Sequence, residues 1–273
     1  MHILSLPILF LFAVLGSSAG FLAGLLGIGG GVILVPLFLV IFGLAGFSPD
    51  IIVHAAFGTS LAIIIPTSVS STLGHRKRGN VDWHQVGFLA LGGIVGALIG
   101  AALAARLSGD WLKGLFGMMQ ILVGVKMFLF KPHLPPIRDE RVSALPLLAV
   151  GLLGGAFSAF FGVGGGVVAV PLMVIALQLP IQLAVGNSSA LIVISSLTGA
   201  LSYIAHGWEI PDLPAFSLGY VNLLVAAIVA PFSILCARLG VRVASRTAHA
   251  KLVSIFSLLL VLIGLRMIYQ GFF

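Results

Sequence analysis

Two glycine-rich segments carry the strongest chemical character in this chain. One comprises Gly27, Gly29, Gly30 and Gly31; the other comprises Gly162, Gly164, Gly165 and Gly166. Each is followed by a short apolar stretch. A glycine break ahead of a helix leaves first-turn N–H groups without helical partners, and the helix dipole places partial positive charge there. Such a start attracts anions. Pro36 and Pro171 each lie five residues beyond the last glycine of their cluster, where they remove a regular hydrogen bond to the preceding turn and kink the short helix. The alternative role for these glycines is close helix packing, which is the reading for Gly92, Gly93, Gly96 and Gly100. Neither cluster completes a dinucleotide-binding G-x-G-x-x-G, because Val32 and Val167 fill its last position.

A second pair of motifs adds hydroxyls and an amide. Thr59 and Ser60 follow Gly58, and Asn187 and Ser188 follow Gly186, each near the start of an apolar segment. These groups suit the oxygens of a tetrahedral or pyramidal oxyanion; they also suit helix capping or bridging between helices. Ser68, Ser70, Ser71, Thr72, Ser195, Ser196 and Thr198 extend a polar face along the same segments, either lining a path or joining helices. The acids Asp50, Asp82, Asp110, Asp139, Glu140, Glu209 and Asp212 all fall at segment ends or in loops. An acidic cation site buried in the membrane is therefore not expected. His54 and His206 lie near segment ends, where the ordinary role is that of an interfacial residue without part in transport; because histidine is the side chain whose unperturbed charge changes nearest neutral pH, His54 is kept as a weak candidate for proton coupling. No P-loop, metal-ligand cluster or nucleophile–base pair is evident, which argues against an enzyme, a bound cofactor or a metal site.

The elements that must position these residues are membrane segments. The chain is 60% hydrophobic and 8% charged, against roughly a quarter charged in soluble domains. Eight apolar runs, 3–26, 51–73, 85–105, 111–130, 143–161, 185–205, 215–237 and 252–270, approach or exceed the roughly 20 residues that span a bilayer. Two shorter runs, 32–45 and 167–179, follow the glycine clusters as half-helices or re-entrant segments. The expected fold is an all-α polytopic membrane protein, with the first run retained rather than cleaved as a signal. The net charge of +7 sits in short loops and signals topology rather than nucleic-acid binding. Cys236 stands alone, so no internal disulfide forms.

The chain is also internally duplicated. GIGGGVILVPL at 27–37 returns as GVGGGVVAVPL at 162–172 with eight of eleven positions identical, as in transporters built from repeats. AFGTSLA at 56–62 pairs with AVGNSSA at 184–190, and Gly124 to Met127 pairs with Gly264 to Met267. The halves are then 1–130 and 142–273, joined by a polar, proline-bearing linker, 131–141. Three loops are strongly basic: Arg76, Lys77 and Arg78; Lys131, Arg138 and Arg141; and Arg238, Arg242, Arg246 and Lys251. Placing all three on the cytoplasmic side gives each half an odd number of crossings and makes the halves inverted repeats.

These paired glycine motifs with their V-P-L continuations, together with GTSLA, GNSSA and HRKRGNVDW at 75–83, resemble the TauE/SafE family over nearly the whole chain. The resemblance implies a secondary transporter of the bacterial or archaeal cytoplasmic membrane, with sulfite-like sulfur oxyanions or organosulfonates as substrates and export as the direction. It places the family's glycine motifs on the two clusters and its polar helix start on Gly58 to Ser60 and Gly186 to Ser188; Asn187 departs from the more usual threonine-like residue. The expected partners are the lipid bilayer, a small anion and a coupling proton or ion. An anion channel and a non-transporting scaffold are the rival readings, and neither the oligomeric state nor the particular anion follows from the sequence.

Overall fold

The computed structural model describes residues 6–26, 29–129, 142–211, 213–244 and 250–272. Gly27 and the expected linker, 131–141, lie outside them. The described chain is almost entirely helical: α1 (Leu6–Leu26), α2 (Gly31–Leu44), α3 (Pro49–Arg76), α4 (Trp83–Ala105), α5 (Gly109–Leu129), α6 (Ala144–Phe161), α7 (Gly166–Ile175), α8 (Ile181–His206), α9 (Leu223–Ala244) and α10 (Ala250–Phe272). Five helices among the described residues, α3, α4, α6, α8 and most of α9, are long and apolar enough to cross a membrane.

One expected segment starts elsewhere. The apolar run 215–237 reads as one helix, yet its first residues form a hairpin, β1 (Ser217–Leu218) antiparallel to β2 (Val221–Asn222). Gly219, with φ +54°, takes the first central position of the two-residue turn, as such hairpins favour. Asn222 then caps α9, its side-chain oxygen accepting from the Val225 N–H at 3.0 Å. Asp82 caps α4 in the same way, accepting from the N–H groups of His84 and Gln85. These two polar residues set where the helices begin, against an apolar background that does not.

Small residues set how the helices pack. A Cβ on Gly16, Gly20 or Gly24 of α1 would strike the carbonyls of Val229, Ser233 or Ala237 on α9, so these helices run parallel in near backbone contact. On α4, Gly92, Gly96 and Gly100 meet the carbonyls of Leu148, Leu152 and Ala156 on α6 in the same sense. Helix α9 also runs parallel to α3: Thr67 donates to Ser233 Oγ at 2.8 Å, Arg238 Nε donates to Ser70 Oγ at 3.3 Å, and Gly74 abuts Val241. The basic ends of α3 and α9 therefore lie side by side. By contrast α3 and α8 are antiparallel, since Ser71 bonds Ser189 at 3.1 Å while Leu61 packs on Gly199. Helices α5 and α10 are likewise antiparallel, crossing where Gly117 and Gly264 face each other's carbonyls.

Candidate functional site

The two glycine segments meet in the interior. A Cβ placed on Gly29 would lie 2.8 Å from the Val163 carbonyl oxygen and 3.2 Å from the Gly164 Cα; one on Gly31 would lie 2.6 Å from the Gly162 oxygen. Only residues without side chains allow this approach. Gly30 and Gly165 are the N-caps of α2 and α7, with φ of +76° and +69° and no side-chain cap. Each is pressed onto the carbonyl of a helix in its own half, Ala19 for Gly30 and Gly154 for Gly165. Gly162 closes α6 in the left-handed region at φ +67° and sits against Phe57. Gly166 is buried as the first residue of α7. Pro36 lies within α2 and Pro171 within α7.

Helix α3 passes directly over this meeting point. A Cβ placed on Gly162 would strike Phe57, and one placed on Gly31 would lie 2.8 Å from Ile64 Cδ1. Ser60, three residues after Phe57 and four before Ile64, shares their stripe of the helix. Its hydroxyl is fully buried and makes no hydrogen bond. Ile192 of α8 also faces the junction, against both Gly29 and Gly164; Ser188, four residues earlier, is buried on the same stripe.

The neighbouring motif residues hold loops. Thr59 Oγ1 accepts from the Asn222 backbone N–H at 2.9 Å, while Asn187 Oδ1 accepts from the Asp82 N–H at 2.9 Å and its Nδ2 donates to Gln85 Oε1 at 2.9 Å. Each therefore fastens a capped helix start in the other half, Thr59 that of α9 and Asn187 that of α4. Gly58 and Gly186 make room for the same loops, packing on the carbonyls of Tyr220 and Asn80. Along the polar faces, Thr67, Ser70, Ser71 and Ser195 bond to other helices, and Thr72 and Thr198 bond back to their own. Ser196 is buried without a partner.

His54 lies near the start of α3. Its Nε2 bonds the Ala104 carbonyl at 3.2 Å, so that nitrogen carries the proton; its buried Nδ1 has no partner, and the ring stacks on Tyr220 with centroids 5.0 Å apart. Burial holds the Tyr220 phenol above its usual range. His206 instead bonds the Ser202 carbonyl within its own helix at 2.8 Å.

One residue at this place escaped the sequence reading. Gln120 of α5 is fully buried, and its Nε2 donates to the Val32 carbonyl in the first turn of α2 at 2.8 Å. Phe116, one turn earlier, faces Phe57 and Phe161, so this face of α5 closes the junction from the side. An amide in the apolar run between Met119 and Ile121 was the available signal.

With five apolar helices of membrane-crossing length among the described residues, and two short ones whose glycine-rich starts meet in the interior, the chain is a multi-pass membrane protein. The sulfite exporter TauE/SafE family matches residues 11–267, and the chain belongs to that family. It is 30% identical over 259 residues to a probable membrane transporter protein of Haemophilus influenzae, covering 93% of this chain and 96% of that one. It is also 30% identical over 284 residues to the probable membrane transporter protein YunE of Bacillus subtilis, with 96% and 98% covered. A probable membrane transporter protein of Methanocaldococcus jannaschii is 30% identical over 270 residues, with 97% and 96% covered. No solved structure matches the chain. The protein is a membrane transporter and not an enzyme.

Proposed function

We propose that this chain is a secondary transporter of small anions, of the sulfite-like oxyanion or organosulfonate kind, exporting them across the cytoplasmic membrane. The observation that carries the anion reading is the meeting of Gly29 to Gly31 with Gly162 to Gly164 beside the unpartnered, buried Ser60 hydroxyl. Two short helices, α2 and α7, begin there, and their N-termini supply partial positive charge. Ser60 and Ser188 supply hydroxyls, with the remaining donor capacity of Thr59 and Asn187 behind them. The sulfur character of the anion comes from the family's description as sulfite exporters.

The halves, 1–130 and 142–273, act as inverted repeats joined by the linker at 131–141. Opposed directions of α3 and α8, and of α5 and α10, support this reading, as does the reciprocal packing of α1 on α9 and α4 on α6. The two halves then rock about one central site. His54 Nδ1 is the proton-coupling candidate, because a proton arriving there needs no existing bond broken.

The test is flux into proteoliposomes of the purified protein with sulfite, sulfate, thiosulfate and sulfonates, with and without a pH gradient. Saturable flux with counterflow is expected for some of these anions. Unsaturable flux without counterflow would mean a channel, and no flux at all would mean a scaffold. His54→Gln should abolish gradient-driven flux while counterflow persists.

A further inference from the structure

Gln120 belongs to one half only. In the alignment that pairs Gly124 with Gly264, its counterpart is Leu260, which is also fully buried. Its hydrogen bond has a specific cause. In a regular helix the Val32 carbonyl would accept from residue 36, but that residue is Pro36 and has no N–H. The Gln120 amide takes the place of the missing donor. Pro171 removes the corresponding donor from the Val167 carbonyl in α7, yet the residue that aligns with Gln120 in that half, Leu260, is not an amide. The proline alone therefore does not account for a glutamine.

The orientation of the amide is fixed by the same contact. A carbonyl only accepts, so the nitrogen must face Val32 and Oε1 must be the opposite arm. That oxygen is buried and has no partner. It stands at the first turn of α2, where Gly31 packs on Gly162 and Val163. Two unpartnered buried groups of different character thus flank the proposed anion site: a hydroxyl on Ser60 of α3, and beside the first turn of α2 an oxygen on Gln120 that can only accept.

We propose that Gln120 is a specificity-determining residue whose Oε1 accepts a hydrogen bond from the bound anion, so that the anion carried has its own O–H or N–H. This rests on the reading of the junction as an anion site. A monoprotonated oxyanion, or a sulfonate bearing a hydroxyl, satisfies both the helix starts and the amide oxygen. A dianion or donor-free sulfonate sets lone pairs against the buried Oε1 and leaves it unpaired.

Calorimetric binding to the detergent-purified protein tests this with two matched probes. Isethionate carries a hydroxyl that ethanesulfonate lacks, and sulfite passes from monoprotonated ion to dianion as pH rises. The wild type should favour isethionate by about tenfold, and its sulfite affinity should follow the monoprotonated fraction. Gln120→Leu, which copies the residue at Leu260, should erase both preferences. The same pair is measured in a Pro36→Ala background, where the restored backbone N–H satisfies the Val32 carbonyl and removes any folding cost of losing the amide. A donor preference that survives Gln120→Leu in that background, or wild-type binding indifferent to the donor, overturns the role of Gln120 and leaves the anion site standing. Binding of no probe by folded wild-type protein overturns the anion site, and this proposal with it.

Discussion

Gly29 and Gly164 stand so close that a Cβ on either would fall 3.2–3.3 Å from the Cα of the other. Residues 135 positions apart in the sequence thus form one junction, with φ of +86° and +92°. Neither position accommodates a side chain without moving backbone.

Gly164→Ala should separate the two segments. The positive φ alone costs about 1–3 kcal/mol for a residue with a Cβ, and contact with the Gly29 backbone adds to it. Anion affinity should fall by at least about tenfold while a lower Tm still reports folded protein in detergent. A variant with wild-type affinity would separate the junction from ligand binding. Bulky residues at Gly30 or Gly165 are a poorer test, because those glycines press on α1 and α6 and their replacement disrupts packing first.

Ser60 and Ser71 lie on one helix but should respond oppositely. The Ser60 hydroxyl has no partner, so Ser60→Ala should leave apo stability unchanged or raised and weaken anion binding by about tenfold. Ser71 bonds Ser189, so Ser71→Ala should lose about 1 kcal/mol of stability and leave affinity alone. Thermal unfolding and calorimetric titration of both variants check this contrast.

Thr59→Val removes the acceptor of the buried Asn222 N–H while keeping the shape of the side chain. The loss should be about 1–3 kcal/mol in stability, with increased hydrogen exchange at the hairpin 217–222. Unchanged exchange there would mean that the hydroxyl does not fasten the start of α9.

The glycine segments that meet in the interior were legible because their residues break local rules. Runs of glycine in an apolar chain have few uses other than backbone approach, so both clusters could be located before any contact was known. The roles of Thr59 and Asn187 were not legible, since a hydroxyl that binds an anion and one that holds a loop N–H have the same sequence signature. Which loop lies against them depends on packing between residues more than a hundred positions apart. The hairpin at 217–222 was hidden for a related reason: its residues are as apolar as the helix that follows, and only Gly219 and Asn222 mark the boundary. Gln120 was overlooked because its meaning depends on Pro36, on another helix.

Helix directions make a topological forecast. Because α3 and α9 run parallel and α8 runs against α3, cysteines introduced near Lys77 and near Arg242 should label from one side of the membrane, and one at Trp208 from the other. The background carries Cys236→Ala. Labelling of Lys77 and Arg242 positions from opposite sides would contradict inverted halves.

The central claim is that an anion sits where the two glycine segments meet. Selenite is an oxyanion with a strong anomalous signal, and diffraction from crystals soaked in it locates the selenium directly. The expected result is one anomalous peak beside the Gly29–Gly164 contact, on the side of α3, with its oxygens within hydrogen-bond distance of Ser60 Oγ, abolished by competing sulfite. A saturable, sulfite-competed selenite peak elsewhere in the protein, with the glycine junction empty, would contradict the account.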